Sequence, residues 1–271
     1  MENKTFSKYL NPTAVITGAS SGIGFELAKV FASNGFNLII CAEDPYIIEA
    51  SSKLNKFGVS VEAVQADLRT YEGVHKLVDK IQSLGQPIDT IAINAGVGVS
   101  GEFVDTDLQA EIDLIQLNVI SVVHLTKHVL KDMKRNGYGR ILFTSSVAAD
   151  APGPYLAVYS ASKAFVQSFV EAIRYEVKDV EGITITSMQP GATDTNFFKR
   201  ADMMTTKAGV SEKDDPAVVA KEGFDALMDG KDHVVTGSIK NKVNTVMNKF
   251  MPETFGAAAS AKELKPGSAY H

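Results

Sequence analysis

The chain has 271 residues, of which 45% are hydrophobic and 22% charged, a composition typical of soluble globular proteins and not of disordered ones. This length fits one large α/β domain better than two ordinary domains. The net charge is −5 with no block of Lys and Arg, which argues against a protein that binds nucleic-acid phosphates.

Short apolar runs alternate with stretches of helical periodicity along most of the chain. The apolar runs predict six strands, at residues 14–16, 38–41, 59–64, 88–93, 141–143 and 183–188. Helices are predicted between them, the longest at 108–135 and 155–178. Because the strands are apolar throughout, both faces of their sheet should be covered, and the strand–helix alternation implies parallel βαβ units. We therefore predict an α/β fold, a single Rossmann-type doubly wound parallel sheet with helices on both faces.

The second predicted helix has its own boundary signals. Asp44 can cap it, and Pro45 suits its first position because the missing N–H would have no partner there. Gly58 is expected to end it.

The regular alternation of predicted strands and helices ends after Pro190. Residues 196–215 have no clean period and are interpreted as a mobile segment, with room for a short helix, over an active site. A helix at 216–228 and a last strand at 233–236 follow. An apolar stripe at helical spacing then predicts a C-terminal helix, with its residues at Ile239, Val243, Val246, Met247 and Phe250.

A glycine-rich turn joins the first predicted strand to its helix. Gly18, Gly22 and Gly24 follow the spacing GxxxGxG. Glycine lets the backbone approach a ligand closely, and the helix start offers unpaired N–H groups and a positive dipole end to a pyrophosphate. An ordinary tight turn is the alternative, but the flanking strand and helix favour nucleotide binding.

The turn TGxxxGxG resembles that of the short-chain dehydrogenase/reductase family. Further motifs of that family follow in order: Asp67-Leu68, Asn94-Ala95-Gly96, Asn118, Ser146, Tyr159 with Lys163, and Pro190-Gly191 with Thr195. The resemblance covers residues 12–195 well and the tail poorly. It implies that an NAD(P) cofactor contacts the following residues: Gly18, Ser20, Ser21, Gly22, Ile23, Gly24, Glu43, Asp67, Leu68, Asn94, Ala95, Gly96, Tyr159, Lys163, Pro190, Gly191 and Thr195.

The predicted chemistry centres on Tyr159 and Lys163. A free tyrosine has a pKa of about 10, so it needs a neighbouring cation to act as a base at neutral pH. A spacing of four on a helix brings both side chains to one face, where the ammonium can lower the pKa of the phenol and donate to the cofactor ribose. Ser146 follows the fifth strand, where a hydroxyl can hold a substrate oxygen. Ser145 competes for this role, but the family spacing favours Ser146.

Asn118 lies in an apolar helical context, where a buried amide must find partners. It either bends or pairs helices, or, as the resemblance implies, holds a water chain to Lys163. The resemblance also implies the reaction, a hydride transfer between NAD(P)(H) and a carbonyl or secondary alcohol with Tyr159 as general acid/base. An NADPH-preferring carbonyl reductase and a non-catalytic NAD(P)-binding sensor or scaffold are the alternatives. A sugar-nucleotide epimerase is disfavoured, since it would usually carry GxxGxxG and a longer substrate domain.

Glu43 at the end of the second strand bears on the choice of cofactor. An acidic side chain there can accept both adenosine ribose hydroxyls and repel a 2′-phosphate. Basic residues that would favour NADP are absent at Glu43 and at Ser21. However, the usual NAD-selecting aspartate matches Ala42, and Glu43 could merely begin the next loop. The sequence favours NAD, with NADP left open.

We expect one domain over residues 1–271. Residues 12–195 form its dinucleotide-binding and catalytic core, 196–230 a substrate loop and helix, and 238–271 a C-terminal helix and flexible tail. An apolar small-molecule substrate is suggested by four side chains of the second segment: Phe197, Phe198, Met203 and Met204. Homodimers or homotetramers are common among similar proteins.

No metal is expected. The histidines are interpreted as scattered, with His124 and His128 as helix-surface or interface residues. The C-terminal stripe, flanked by Lys240, Lys242 and Lys249, could be a substrate lid, a subunit contact or a membrane-surface helix, of which plain core or interface packing is favoured.

The sequence also bears on location. Its single cysteine, Cys41, excludes an internal disulfide or a cysteine-rich metal site, which suits the reducing cytoplasm. The first ten residues hold no apolar stretch of signal-peptide length. No apolar run approaches the roughly 20 residues that a membrane-spanning helix needs.

Overall fold

A seven-stranded parallel sheet forms the centre of the protein. The computed structural model describes residues 12–238 and 252–270. The strands lie in the order β3-β2-β1-β4-β5-β6-β7 and every neighbouring pair is parallel. Their bounds are β1 Thr13–Thr17, β2 Asn37–Ala42, β3 Val61–Gln65, β4 Thr90–Ile93, β5 Gly139–Thr144, β6 Ile183–Pro190 and β7 His233–Thr236. The prediction of a doubly wound α/β sheet is confirmed.

Helices cover both faces of this sheet. Their bounds are α1 Gly22–Ser33, α2 Tyr46–Leu54, α3 Tyr71–Gln82, α4 Leu108–Ile115, α5 Ser121–Asn136, α6 Ala157–Glu176, α7 Phe197–Arg200, α8 Lys207–Val210, α9 Pro216–Met228 and a C-terminal helix Glu253–Leu264. One core cluster joins the sheet to α3, α5 and α6, and another joins it to α1, α2 and α9.

Alternate strand residues supply these two cores. On β1, Val15 packs in the first cluster, while Ala14 and Ile16 pack in the second. Successive side chains of a strand point to opposite faces, so β1 needs apolar side chains on both faces. This explains why residues 14–16 show no alternation of polar and apolar side chains.

Several boundaries differ from prediction. Pro45 precedes α2 instead of occupying its first turn, and the Asp44 carboxylate accepts a hydrogen bond from the Tyr46 N–H at 3.1 Å. Such one-residue differences at helix ends are common. The predicted helix 108–135 is continuous but contains a π-helical segment, Gln116–Ile120, between α4 and α5.

The segments for which mobility or flexibility is predicted have defined local structure. Residues 196–215 contain the one-turn helices α7 and α8. The end of the chain forms a 3₁₀ turn, Ser268–Tyr270, which lies against the 205–207 segment: Ala269 N–H donates to Thr205 O at 3.0 Å, and Lys207 N–H donates to Ser268 Oγ at 2.9 Å. These partners are about 60 residues apart, so local sequence signals could not reveal them. The predicted stripe 239–250 lies outside the described residues.

One helical stretch, Leu108–Asn136, is long and apolar enough to cross a bilayer by length and composition alone. This qualifies the expectation that no such stretch exists. Its inward residues Val122, Leu125 and Val129 pack with the sheet in the core. We therefore interpret the stretch as a core helix with one face on the sheet.

Candidate active site

A cavity of about 330 Å³ opens at the carboxyl ends of the central strands. The strand order reverses between β1 and β4, and ligands of open α/β sheets bind at such a point. All seventeen residues predicted to contact the cofactor line this cavity, as does Ser146, whereas Asn118 does not. The fold thus brings together side chains that are spread from residue 18 to residue 195 of the sequence.

The glycine turn, with Gly18, Gly22 and Gly24, lines one side of the cavity. A Cβ atom at Gly24 would lie 2.2 Å from the Gly18 carbonyl oxygen, and one at Gly18, where φ is +68°, would lie 2.9 Å from Cα of Ala95. Any side chain here would therefore push the turn apart. Within the described part of the chain, no side chain caps the N-terminus of α1, so its first N–H groups are available to an anion. The turn therefore fits a dinucleotide pyrophosphate.

Asn94 holds the neighbouring strand ends in place. Its amide donates to Thr17 O at 3.1 Å and accepts from the Thr144 hydroxyl at 3.1 Å, which ties β4 to β1 and β5. Ser20, at the other side of the turn, donates to Asp44 at 2.8 Å. Both side chains thus fix the shape of the cavity wall.

Tyr159 and Lys163 share one face of α6, as their spacing predicts. Both are buried, with 9% and 5% of their surface exposed, and both line the cavity. The Lys163 Nζ lies 5.7 Å from the centre of the Tyr159 ring and donates to Thr144 O at 2.9 Å.

Burial sets the protonation of this pair. It raises the pKa of Tyr159 to about 12, and a hydrogen bond with the Ser146 side chain opposes part of that rise. Burial also lowers the pKa of Lys163 to about 8. Burial, and not the expected influence of the Lys163 ammonium, therefore dominates the pKa of the phenol. Tyr159 keeps its proton at neutral pH.

The two serines after β5 have different surroundings. The Ser146 hydroxyl accepts a hydrogen bond from the Ala148 N–H at 3.1 Å and forms a second hydrogen bond with the Tyr159 side chain. The Ser145 hydroxyl donates to Lys163 O at 3.1 Å. Ser146 can therefore reach a ligand beside the phenol, while Ser145 anchors β5 to α6.

Asn118 occupies the π-helical segment and is almost fully buried. Its amide accepts from the Val97 N–H at 3.0 Å and donates to Val97 O at 2.9 Å and to Ser162 Oγ at 3.1 Å. These bonds join the long helix to the loop after β4 and to α6. The amide therefore has the pairing role that buried amides need, and its link to Lys163 through water stays a prediction.

A charged network that the sequence did not predict lies beside the Glu43 and Asp67 part of the cavity wall. The Arg69 guanidinium bonds Glu43 at 2.8 Å and Asp67 at 2.8 Å and approaches Asp113 at 3.5 Å. Its hydrogen bonds hold the pKa of the Asp67 carboxyl below its usual value. Because Arg69 lies 26 positions after Glu43, only its closeness to Asp67 could have signalled this.

The wall beyond Tyr159 is apolar. The Phe197 ring lies 5.1 Å from the Tyr159 ring, centre to centre, and Phe198 and Met203 are buried nearby. Met204, predicted with them, does not line the cavity and is half exposed. Leu264 of the C-terminal helix completes the wall, a contribution that its sequence surroundings do not signal.

Three histidines that were predicted to be scattered lie together. His75 on α3 meets His124 and His128 on α5, with one ring nitrogen of each within 4.8 Å of the others. None of the three lines the cavity. The sequence shows the pair on α5 but not which residue of α3 faces it.

Comparison with known proteins agrees with this geometry. The chain matches the short chain dehydrogenase family over residues 12–229. It is 36% identical to the uncharacterized oxidoreductase YmfI of Bacillus subtilis over 194 residues, which cover 70% of this chain and 78% of YmfI.

Two solved structures share the fold. A short-chain dehydrogenase from Sphingobium yanoikuyae in complex with NADPH superposes with a TM-score of 0.77 at 29% identity, covering 83% of this chain and 87% of that one. The bulky-bulky ketone specific alcohol dehydrogenase from Comamonas testosteroni gives a TM-score of 0.74 at 25% identity, covering 92% of this chain and 98% of that one.

The family match runs past residue 195, where the motifs end, to the end of α9. It therefore includes part of the segment for which the sequence resemblance is weak. The glycine turn, strands β1 to β6 and the paired tyrosine and lysine all lie within it. The chain therefore belongs to the short-chain dehydrogenase family of oxidoreductases.

Proposed function

We propose that the protein transfers a hydride between NAD(P)(H) and a carbonyl or secondary alcohol, with Tyr159 as the general acid/base. The observation that carries this proposal is the buried Tyr159 phenol, which faces the same cavity as the glycine turn. A bound nicotinamide cofactor would supply or accept the hydride. The glycine turn, Asp67, Leu68 and the 94–96 and 190–195 segments would hold it.

The chain's own groups would handle the proton. In the reducing direction Tyr159 donates its proton to the substrate oxygen, while the Ser146 hydroxyl donates a hydrogen bond to the same oxygen. A phenol with a pKa of about 12 is protonated at neutral pH, as a proton donor in the reducing direction needs to be. Lys163 stays mostly protonated at pH 7 with a pKa of about 8 and would stabilise the phenolate left behind.

Removal of the phenol tests this mechanism. We expect Tyr159→Phe to lose turnover by a factor of 10² or more, as loss of general acid catalysis typically does, and to retain NADH or NADPH affinity. Tyr175→Phe, on an exposed part of the same helix, is the matched control and should keep wild-type turnover. Substantial turnover by Tyr159→Phe would refute the assigned role.

An apolar ketone or secondary alcohol is the proposed substrate. The wall formed by Phe197, Phe198, Met203 and Leu264 offers apolar contacts beside the phenol. The similar Comamonas testosteroni enzyme is specific for bulky-bulky ketones, which supports a substrate of this kind. A panel of ketones and alcohols, followed by the absorbance of the reduced nicotinamide, tests it. Turnover of small polar compounds alone would contradict the proposal.

NAD is the proposed preference over NADP. Glu43, Asp67 and Asp113 surround Arg69, so three negative charges and one positive charge leave a net −2 at this end of the cavity. Such a site repels a 2′-phosphate. The alternative is that Arg69 turns from Glu43 to a 2′-phosphate, and the NADPH complex of the similar Sphingobium protein keeps this open.

Two variants separate these cofactors. If NAD is preferred, Glu43→Gln should weaken NADH binding and tighten NADPH binding, while Arg69→Gln should leave the preference for NADH intact. The opposite result would be a wild type that binds NADPH more tightly than NADH and an Arg69→Gln variant that loses about tenfold or more in NADPH affinity. That result would show that Arg69 binds the 2′-phosphate. Fluorescence titration with both reduced cofactors measures each case.

We further propose a cytoplasmic homodimer or homotetramer. The buried, unpaired Cys41 is compatible with a reducing compartment, and the oligomer follows from the family alone. Size-exclusion chromatography with light scattering tests the assembly, and a monomer at micromolar concentration would contradict it.

A further inference from the structure

We propose that His75, His124 and His128 form a binding site for a transition-metal dication of the zinc, nickel or cobalt type. The bound ion would link α3 to α5. The site lies apart from the cavity and does not depend on the proposed dehydrogenase function. It rests on the placement of three imidazoles from two helices.

The two helices hold the imidazoles in place. His124 and His128 are four residues apart on α5, a spacing that brings both rings to one face of a helix. His75 reaches them from α3, which shares a core with α5 through Val74 and Val78. Because packed helices hardly shift, the backbone of the site is formed before any ion arrives.

The ring geometry suits a metal after small side-chain rotations. The ring centres lie 5.1 Å apart for His75 and His124, 5.5 Å for His75 and His128, and 5.2 Å for His124 and His128. Zinc–nitrogen bonds of 2.0–2.1 Å put tetrahedral ligand atoms roughly 3.4 Å apart. The ring nitrogens already lie within 4.8 Å of one another. Rotations about the side-chain bonds can bring them to the shorter separation that a metal ion requires.

A buried nitrogen without a partner is the second observation. Among the described residues, no hydrogen-bond partner is found for the buried Nε2 of His75. An unsatisfied buried polar atom is costly and calls for an explanation. A metal ion would satisfy it.

An aromatic ring from α3 packs against two of the three histidines. The Tyr71 ring stacks on His124 at 4.7 Å and lies 4.2 Å from the ring of His75.

The donor set limits the ion. Three imidazole nitrogens suit zinc, nickel, copper and cobalt, whereas magnesium and calcium prefer oxygen ligands. Three protein ligands also leave a fourth tetrahedral position for water or an added ligand.

The experiment uses untagged, chelator-treated protein titrated with ZnCl2 or CoCl2. We expect one ion per chain with a dissociation constant below about 10 µM, tetrahedral cobalt absorption bands, and a melting temperature raised by roughly 5–10 °C at a hundredfold excess over the dissociation constant. Magnesium should produce no shift.

Variants assign the site. The double variant His124→Gln/His128→Gln should lose at least 100-fold in metal affinity, and His75→Gln at least tenfold, while His271→Gln serves as the control that keeps it. Far-UV circular dichroism and cofactor binding verify that each variant is folded. Absence of binding at 100 µM metal, or equal affinity in the folded double variant, would overturn the proposal and leave an aromatic packing cluster.

Discussion

Lys163 shows how burial can oppose a role that spacing suggests. The i, i+4 spacing brings its ammonium to the Tyr159 side of α6, as predicted, but the same helix face is buried against the sheet. Desolvation therefore lowers the pKa of the lysine to about 8 and raises that of the tyrosine to about 12. Under the proposed mechanism, Tyr159 is the proton donor at neutral pH, and the charge on Lys163 matters most once the phenolate forms.

This pKa predicts how stability changes with pH. Lys163 titrates near 8 in the folded protein and near 10.5 when unfolded, so between these values the unfolded chain binds more protons. The free energy of unfolding should therefore rise with pH across this window, by roughly 3 kcal/mol from this group. Lys163→Met should remove that rise.

Urea unfolding at pH 7 to 10 measures the effect as a difference between the wild type and the variant, since other titrating groups cancel. Lys56→Met, at an exposed lysine, is the control and should follow the wild-type curve. If the curves of wild type and Lys163→Met run parallel, the lysine is not desolvated as described.

At the scale of elements, the glycine turn is the clearest link between sequence and site. Gly24 lies on α1 where the helix passes over the Gly18 carbonyl, with only 2.2 Å available to a Cβ. Gly24→Ala must therefore separate the helix from the strand end. We expect cofactor affinity to fall at least 100-fold and the free energy of unfolding to fall by about 2 kcal/mol or more.

Gly35→Ala is the control for this prediction. A Cβ there meets nothing within 4 Å, but its φ of +81° costs about 1–2 kcal/mol. It should lower stability and leave cofactor affinity unchanged. Fluorescence titration with NADH and urea unfolding separate the two effects, and wild-type NADH affinity in Gly24→Ala would contradict the clash.

The elements also show what sequence can and cannot predict. All seven strands and the long helices could be predicted from apolar runs and periodicity. Strand burial and the apolar face of a helix depend on residues that are close together in the sequence. The contacts of Arg69 with Glu43 and of Leu264 with the cavity join distant positions, so no local pattern carries them. The π-helical segment around Asn118 was not predicted either, and the Asn118 amide within it pairs with Val97, 21 residues away in the sequence.

At the scale of the whole molecule, the residues of the site come from strands that are far apart in the sequence. The cavity is complete only when β1, β4, β5 and β6 lie side by side and the C-terminal helix brings Leu264 to the cavity wall. A ligand held there should therefore favour the fully folded sheet over partly opened states, because it binds only the native arrangement.

Cys41 can report on this coupling. Its thiol is fully buried on β2, and burial raises its pKa to about 12 although the Lys76 charge opposes the rise. A thiol reagent needs an exposed thiolate, so labelling requires the sheet to open. We expect no labelling within minutes in native buffer, rapid labelling in urea, and a roughly 100-fold slower native reaction when the cofactor is present at 100 times its dissociation constant. Gly24→Ala, with its weakened cofactor site, should lose this protection, and fast labelling of the native wild type would show that β2 opens without the rest of the sheet.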